Sequence, residues 1–519
     1  MHRCLRVQEL LALIFSHLDL TEHSGRQSYN SRQPTLQDLA VLARTCCTFH
    51  GPALDHLWRS SALVNLLRCM PADLWMVDEV GEPPYKSNMY PRRAIRAEDW
   101  NRVLVYAPRI QNLSTTSWDC ELSGIFPVIS VCLPDQLLPN LQTLYWMPSD
   151  ANFHFIHLFL GPKLTSITFS GSTIPAISLL PTLALKCPTL KDVSILSGEK
   201  RAVSVFLRSL ECIESVHVDS LDHGTLEHLS RLPTLTALSL NTLPTSLSLS
   251  PHLDPQPFGV LRKLHLGSSN IEAITHFLSL CKEVTLRSFN LYVRTCPTMA
   301  ESHEFYRALS ASVSRSSLTE VHFDIGINDF DGNSPNLRIH CESIRLLVGF
   351  TNLVTINISS PVGIDLDDTT VADLARAWPH LEELQMSSYG LSRSPPNTTL
   401  ECLHSLATWC PRLASLTITF DGTSAPTPPS PAPGTSQHAL KSINVAHSRI
   451  STAIMPVVQF LSAIFPDLKR IRTSRDGLDN EDPEELDLHG EAIAFHDSWK
   501  EVEFLLVIQE VPAQNSSGG

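Results

Sequence analysis

At 519 residues the chain is longer than one compact domain usually needs, which implies several domains or a repeat array. It is 43% hydrophobic and 18% charged, as soluble proteins commonly are. Its net charge of −14 is concentrated beyond residue 110, where 42 Asp/Glu face 26 Lys/Arg, so partners with phosphate backbones are not expected.

The chain begins with scattered basic residues before the apolar stretch VQELLALIFSHLD (7–19). Its uninterrupted apolar run, Leu10 to Phe15, is too short for a secretory signal, and no later stretch is long enough to span a bilayer. Leu10, Leu11, Ile14, Phe15 and Leu18 instead recur at helical spacing and make one broad apolar face. A polar stretch (21–34) precedes a second such segment with Leu36, Leu39, Leu42, Ala43, Cys46 and Phe49. Gly51-Pro52 predicts a helix stop and restart, and a third piece carries Ala53, Leu54, Leu57 and Trp58. Three short helices in about 55 residues make a core that usually needs a partner or the rest of the chain.

The order V-Q-E-L-L-x-x-I-F-x-x-L, then L-x-x-L-A-x-x-C-x-x-F, then P-A-L-x-x-L-W-R resembles an F-box, nearest in wording to the expanded F-box families of mushroom-forming fungi. The resemblance covers residues 1–60. It departs from the family at Gln8, where a proline is usual, and in the long polar loop between the first two helices. It implies docking on the Skp-type adaptor of a cullin–RING ubiquitin ligase. By position the adaptor contacts would be Leu10, Leu11, Ile14, Leu18, Leu42, Cys46, Phe49, Leu57 and Trp58. Any one of these is as readily part of the domain's own core. Together, in so small a domain, they read as an interface.

Residues 61–100 read as a linker or first capping segment. From about residue 101 to 510 the chain repeats one phrase, as in LPNLQTLYW, CPTLKDVSI, WPHLEELQM and FPDLKRIRT. The template is P-x-L-x-x-[LIV]-x-[LIVF]. Its first apolar position recurs from 110 to 502 at intervals of 22 to 35 residues, the last copy being WKEVEFLLV. Helical apolar patterns such as MPVVQFLSAIF lie between copies. One strand plus one helix per unit predicts an α/β fold, a degenerate leucine-rich-repeat-like solenoid with parallel strands on the concave face and helices outside. A doubly wound α/β domain is the alternative. Two segments interrupt the array: a Pro-rich stretch at 421–438, expected to be disordered, and a stretch at 476–491 with eight carboxylates and no Lys or Arg, expected to be a solvated loop. Residues 511–519 read as a disordered tail.

In such a strand the leucines point inward and the residues between them face the other way. The position before the last apolar residue is polar or amphipathic in every copy, and its most informative members are Tyr145, His217, His265, Asn290, His322, Asn357, Gln385 and Asn444. These are the candidate target-binding residues, although any solvated sheet face shows similar chemistry. The three histidines are spaced too far apart to share a metal and at most make the face pH-sensitive.

Other chemistry finds no pattern. His154 with His157, and Cys402, His404 and Cys410, lack a second matched ligand pair and fall in expected repeat helices. There is no phosphate-binding glycine loop or nucleophile elbow. Thirteen dispersed cysteines without a CxxC framework suit free thiols in a reducing compartment. The sequence therefore predicts an intracellular, cytoplasmic or nuclear protein, not itself an enzyme. It would hold no cofactor or metal and bind protein partners: the adaptor and a target.

Overall fold

A computed structural model describes residues 7–16, 36–79, 87–116, 120–121, 125–132, 136–244, 257–328, 338–388, 396–424, 436–476 and 490–508. The chain divides into two compact units, Met1–Thr225 and Leu226–Gly519.

The first unit opens with α1 (Gln8–Ser16), α2 (Leu36–Ala43) and α3 (Cys47–Arg59). Leu11 and Phe15, one turn apart on α1, meet Leu39 and Ala43 of α2 and Ala53 of α3 in a small buried core. Phe15 also meets Phe49 edge-to-face at 5.7 Å. The expected break at Gly51-Pro52 does not occur: α3 runs through Pro52. Proline removes one backbone N–H, but Phe49 before it and Ala53 and Leu57 after it are all held on the same core.

The first strand lies earlier than the repeat template predicts. β1 (Ser60–Ala62) follows α3 directly and pairs in parallel with β2 (Asn112–Thr116), Ser60 opposite Asn112. The Asn112 side-chain amide donates to Ser60 Oγ at 2.9 Å. The intervening stretch is more than a linker. It holds a helix (Leu63–Leu67), an antiparallel pair (Trp75–Glu79 with Ser87–Pro91) and the buried Asp99. Arg93 donates to both oxygens of Asp99 and to Asp73, and the Arg96 backbone N–H donates to Asp99 at 2.8 Å. The Arg93 guanidinium, followed by that N–H, holds the Asp99 carboxyl down to about 2.

β3 (Thr143–Met147), β4 (Ser166–Ser170), β5 (Asp192–Leu196) and β6 (Ser215–Val218) continue the sheet, each parallel to the last and in chain order. The second unit repeats the scheme with β7 (Ala237–Leu240), β8 (Lys263–Ser268), β9 (Ser288–Thr295), β10 (Glu320–Asn328), β11 (Thr355–Ser360), β12 (Glu383–Ser388), β13 (Ser415–Ile418), β14 (Ser442–Asn444) and β15 (Arg470–Arg472). These too are parallel and sequential. A doubly wound sheet would reverse its order at a switch point, and neither unit does.

A single hydrogen-bonding step recurs at the start of nearly every strand. One carbonyl receives the backbone N–H groups of two successive residues in the next repeat. Thr165 O takes Lys191 and Asp192, and Val354 O takes Glu382 and Glu383. The residue before the core leucine adds a second stitch. Asn140 Nδ2 donates to Pro108 O at 2.7 Å, Thr189 Oγ1 to Pro162 O at 2.7 Å, and Asn352 Nδ2 to Ser316 O at 2.7 Å. These side chains satisfy turn carbonyls that the strand ladder leaves over. Along the strands, alternate residues such as Ile167 and Phe169, or Ile356 and Ile358, are buried. The helices pack on that side: Ile271–Leu280, for instance, buries Ile274 and Phe277.

The copy WKEVEFLLV is a helix rather than a strand. Helix Gly490–Ile508 buries Trp499, Val502 and Leu506, a three-to-four-residue spacing. Trp499 donates to Ser448 O at 2.9 Å and meets Phe420 edge-on. Lys500 Nζ donates to Ile471 O at 2.8 Å, satisfying a carbonyl on the edge strand β15. The expected Pro-rich insertion falls mostly at 425–435, outside the described residues. Its flanks are structured: Asp421–Gly422 pairs with Arg449–Ile450, and the buried Gln437 donates to Leu413 O. Most of the acidic stretch (477–489) and the tail from 511 also lie outside the described residues. No helix among the described residues is long and apolar enough to cross a membrane.

Candidate interaction surfaces

The first surface is formed by the N-terminal helices. Leu10 and Ile14, one turn apart on α1, are 42% and 44% exposed. Leu11, next to Leu10, is fully buried. A helix turns about 100° per residue, so Leu11 and Phe15 look into the core while Leu10 and Ile14 look out. Leu11 is therefore a core residue and not available to a partner. Leu42, Phe49 and Leu57 pack half-buried against the same core, and Cys46 is half-buried. Leu18 lies outside the described residues. Trp58 stacks on Tyr106 of the helix Asn101–Tyr106, with ring centroids 4.8 Å apart. Arg109 adds an ion pair to Asp55 and a bond to Gly51 O, so α3 is fastened to the first repeat.

The second surface is the strand face turned away from the helices. Here the register places the predicted column as a continuous row within each unit. In the first unit Ser114, Tyr145, Thr168, Ser194 and His217 lie opposite one another on successive strands. In the second unit the row runs His265, Asn290, His322, Asn357, Gln385, Thr417, Asn444 and Arg472. Tyr145 is exposed; the other candidate residues are half-buried among their neighbours. Asn290 Oδ1 is buried without a hydrogen-bond partner among the described residues. Asn357 Oδ1 accepts from Ser359 Oγ at 3.2 Å, and Asn444 Oδ1 accepts from the Ala446 N–H at 2.9 Å. His265 and His322 flank Asn290, about 10 Å apart at two strand spacings. On the same face burial pushes the Asp192 carboxyl up, with the Glu214 charge adding to it.

The chain is a leucine-rich-repeat-like α/β protein. No family model matches its sequence, and no curated protein matches it. Among solved structures it is similar to an internalin from Listeria monocytogenes, at 14% identity over 73% of this chain and 89% of that one, with a TM-score of 0.36. The repeat architecture rests on the strand register.

The metal-like pairs have structural roles. His157 Nδ1 bonds to His154 O at 2.7 Å. Cys402 is buried, and that burial pushes its thiol far up. Cys410 Sγ is buried beside Ala375 O and Trp378 O, its thiol raised to about 12. Among the described residues no group of three or more His, Cys, Asp or Glu is placed to hold a metal.

Several exposed residues escaped the sequence reasoning. Val7, just before α1, with Leu13 on α1 and Val41 on α2, joins Leu10, Ile14 and the already named Leu36 as exposed apolar side chains. Their helical spacing was visible, but the direction of each face depends on where α3 packs. Tyr292, two residues along β9 from Asn290, is an exposed aromatic on the strand face. The period-two alternation would have found it had the strand been extended past its template.

Proposed function

We propose that the chain is a substrate-recognition subunit of a Skp–cullin–F-box ubiquitin ligase. Its N-terminal helices dock on the Skp-type adaptor and its strand face takes a target protein. The observation that carries this reading is the set of large apolar side chains, Leu10 and Ile14 foremost, exposed on two short helices whose wording resembles an F-box. Water-exposed leucine, isoleucine and valine in so small a unit are stabilised by a partner that covers them. The strand face offers hydroxyls, amides, imidazoles and tyrosines suited to a polar protein surface. The chain contributes proximity between adaptor and target rather than reaction chemistry.

The test is co-purification with the Skp-type adaptor. The wild type captures it, and Leu10→Asp combined with Ile14→Asp abolishes capture without lowering the melting temperature, because both side chains already face water. Failure of the wild type to capture the adaptor, or full capture by the double variant, ends the proposal.

A second reading has its own observation. The Trp58–Tyr106 stack, the Asp55–Arg109 ion pair and the β1–β2 pairing favour helices that cap the first repeat of a protein-binding scaffold. In that case removal of residues 1–62 uncovers the β2 edge and causes aggregation, while no adaptor is bound by the intact chain.

A further inference from the structure

The strand face of the second unit is not uniform in charge. Across its middle, the outward positions include the carboxylates Glu320, Asp324 and Glu383. At the β13–β15 end the outward positions are Ser415 and Thr417, then Ser442 and Asn444, then Arg470 and Arg472. Both arginines are exposed, and neither has an ion pair among the described residues. Nearby carboxylates are engaged elsewhere: Asp476 with Lys500 and the Thr473 N–H, and Asp467 with His438.

Distance decides whether the face neutralises itself. Glu383, the nearest carboxylate on the Arg470 row, lies three strands away, about 14 Å. That exceeds a Debye length of about 10 Å at 0.1 M salt, so it screens Arg470 weakly. Lys441 at the rim and Arg475 beyond the strand, both exposed, add to the positive potential. The side chains of Ser415, Thr417 and Ser442 have no hydrogen-bond partner among the described residues, and Asn444 has its oxygen committed, which leaves its amide protons outward. The outcome is a strip of donors and guanidinium groups, two strand spacings wide, in a protein of net charge −14.

We propose that this end of the strand face docks an acidic segment of a protein partner, with its carboxylates paired to Arg470 and Arg472. Two guanidinium forks on one strand, two residues apart, match successive carboxylates of an extended peptide. Serine and threonine hydroxyls and the Asn444 amide donate to the same peptide's remaining oxygens. The inference rests on the reading of the strand face as the target-binding surface and is independent of the adaptor.

The experiment is fluorescence anisotropy of the full chain with a fluorescein-labelled peptide of alternating glutamate and serine. A glutamine–serine peptide serves as the uncharged control. The glutamate peptide binds, the glutamine peptide does not, and affinity falls with added salt. Arg470→Ala with Arg472→Ala weakens binding about tenfold or more at unchanged melting temperature, whereas Lys263→Ala on β8 leaves it unchanged. Equal binding of both peptides overturns the proposal, as does an equal loss from Lys263→Ala. So does binding that emerges only after the carboxylates of residues 477–489 are replaced by amides, which would assign the strip to the chain's own acidic stretch. Because no adaptor is present, this result and adaptor capture fail separately.

Discussion

Just before and along α1 and on α2, Val7, Leu10, Leu13, Ile14, Leu36 and Val41 are exposed, while along the strands the inward residues from Leu113 to Ile471 are buried. The two regions draw on the same apolar residues. In the repeats the strands lie in register beside one another and helices such as Ile271–Leu280 cover their inner side, so one pattern is satisfied in much the same way from copy to copy. Among the described residues the three helices have one another and the first repeat, and their leucines divide between inside and outside. The lesson is that a periodic apolar pattern predicts burial where the neighbour is another copy of the pattern, and only amphipathicity where it is not.

Substitutions sharpen that contrast. The largest effect is expected from Trp499→Ala, which removes a fully buried ring from the helix that closes the array. It should cost about 3–5 kcal/mol by denaturant titration and speed amide exchange along β15. Next, Leu11→Ala should cost about 2–5 kcal/mol, while Leu10→Ala, one residue away, stays within about 0.5 kcal/mol. Similar losses at both positions would erase the distinction between the two faces of α1. Asn352→Ala, which removes one stitch between repeats, should cost about 1 kcal/mol.

The last comparison concerns Asp99 and is read in acid melts, where its contribution is lost. Its folded carboxyl titrates at about 2, below the value of about 3.9 expected when unfolded. A group with a lowered folded value stabilises the protein fully above the unfolded value, and that contribution is lost as pH falls toward the folded one. Between about pH 4 and pH 2 the wild type should therefore lose stability more steeply than Asp99→Asn. Parallel curves for the two proteins in acid melts would remove Asp99 from the account.

Much of the fold was legible because it is local and repeated. The phrase P-x-L-x-x-L-x-L located β2 to β15, and its polar position is the row that the register aligns from Ser114 to His217 and from His265 to Arg472. What escaped was at the ends. The β1 segment Ser60–Ala62 has no leucine motif and becomes a strand only because β2 offers it an edge. WKEVEFLLV fits the strand template only loosely. It settles as a helix because Trp499 finds Phe420 and Ser448 beneath it.

The sequence by itself determined the repeating unit, the parallel strands it builds and the polar row they present, because period-two and helical spacings act within a few residues. Tertiary structure alone decided that Leu11 is core while Leu10 is surface, that Trp58 lies on Tyr106, and that, among the described residues, the strand positions beside Arg470 and Arg472 carry no carboxylate. Each of those depends on which distant segment arrives opposite, and burial and screening are set by that neighbour rather than by the residue itself.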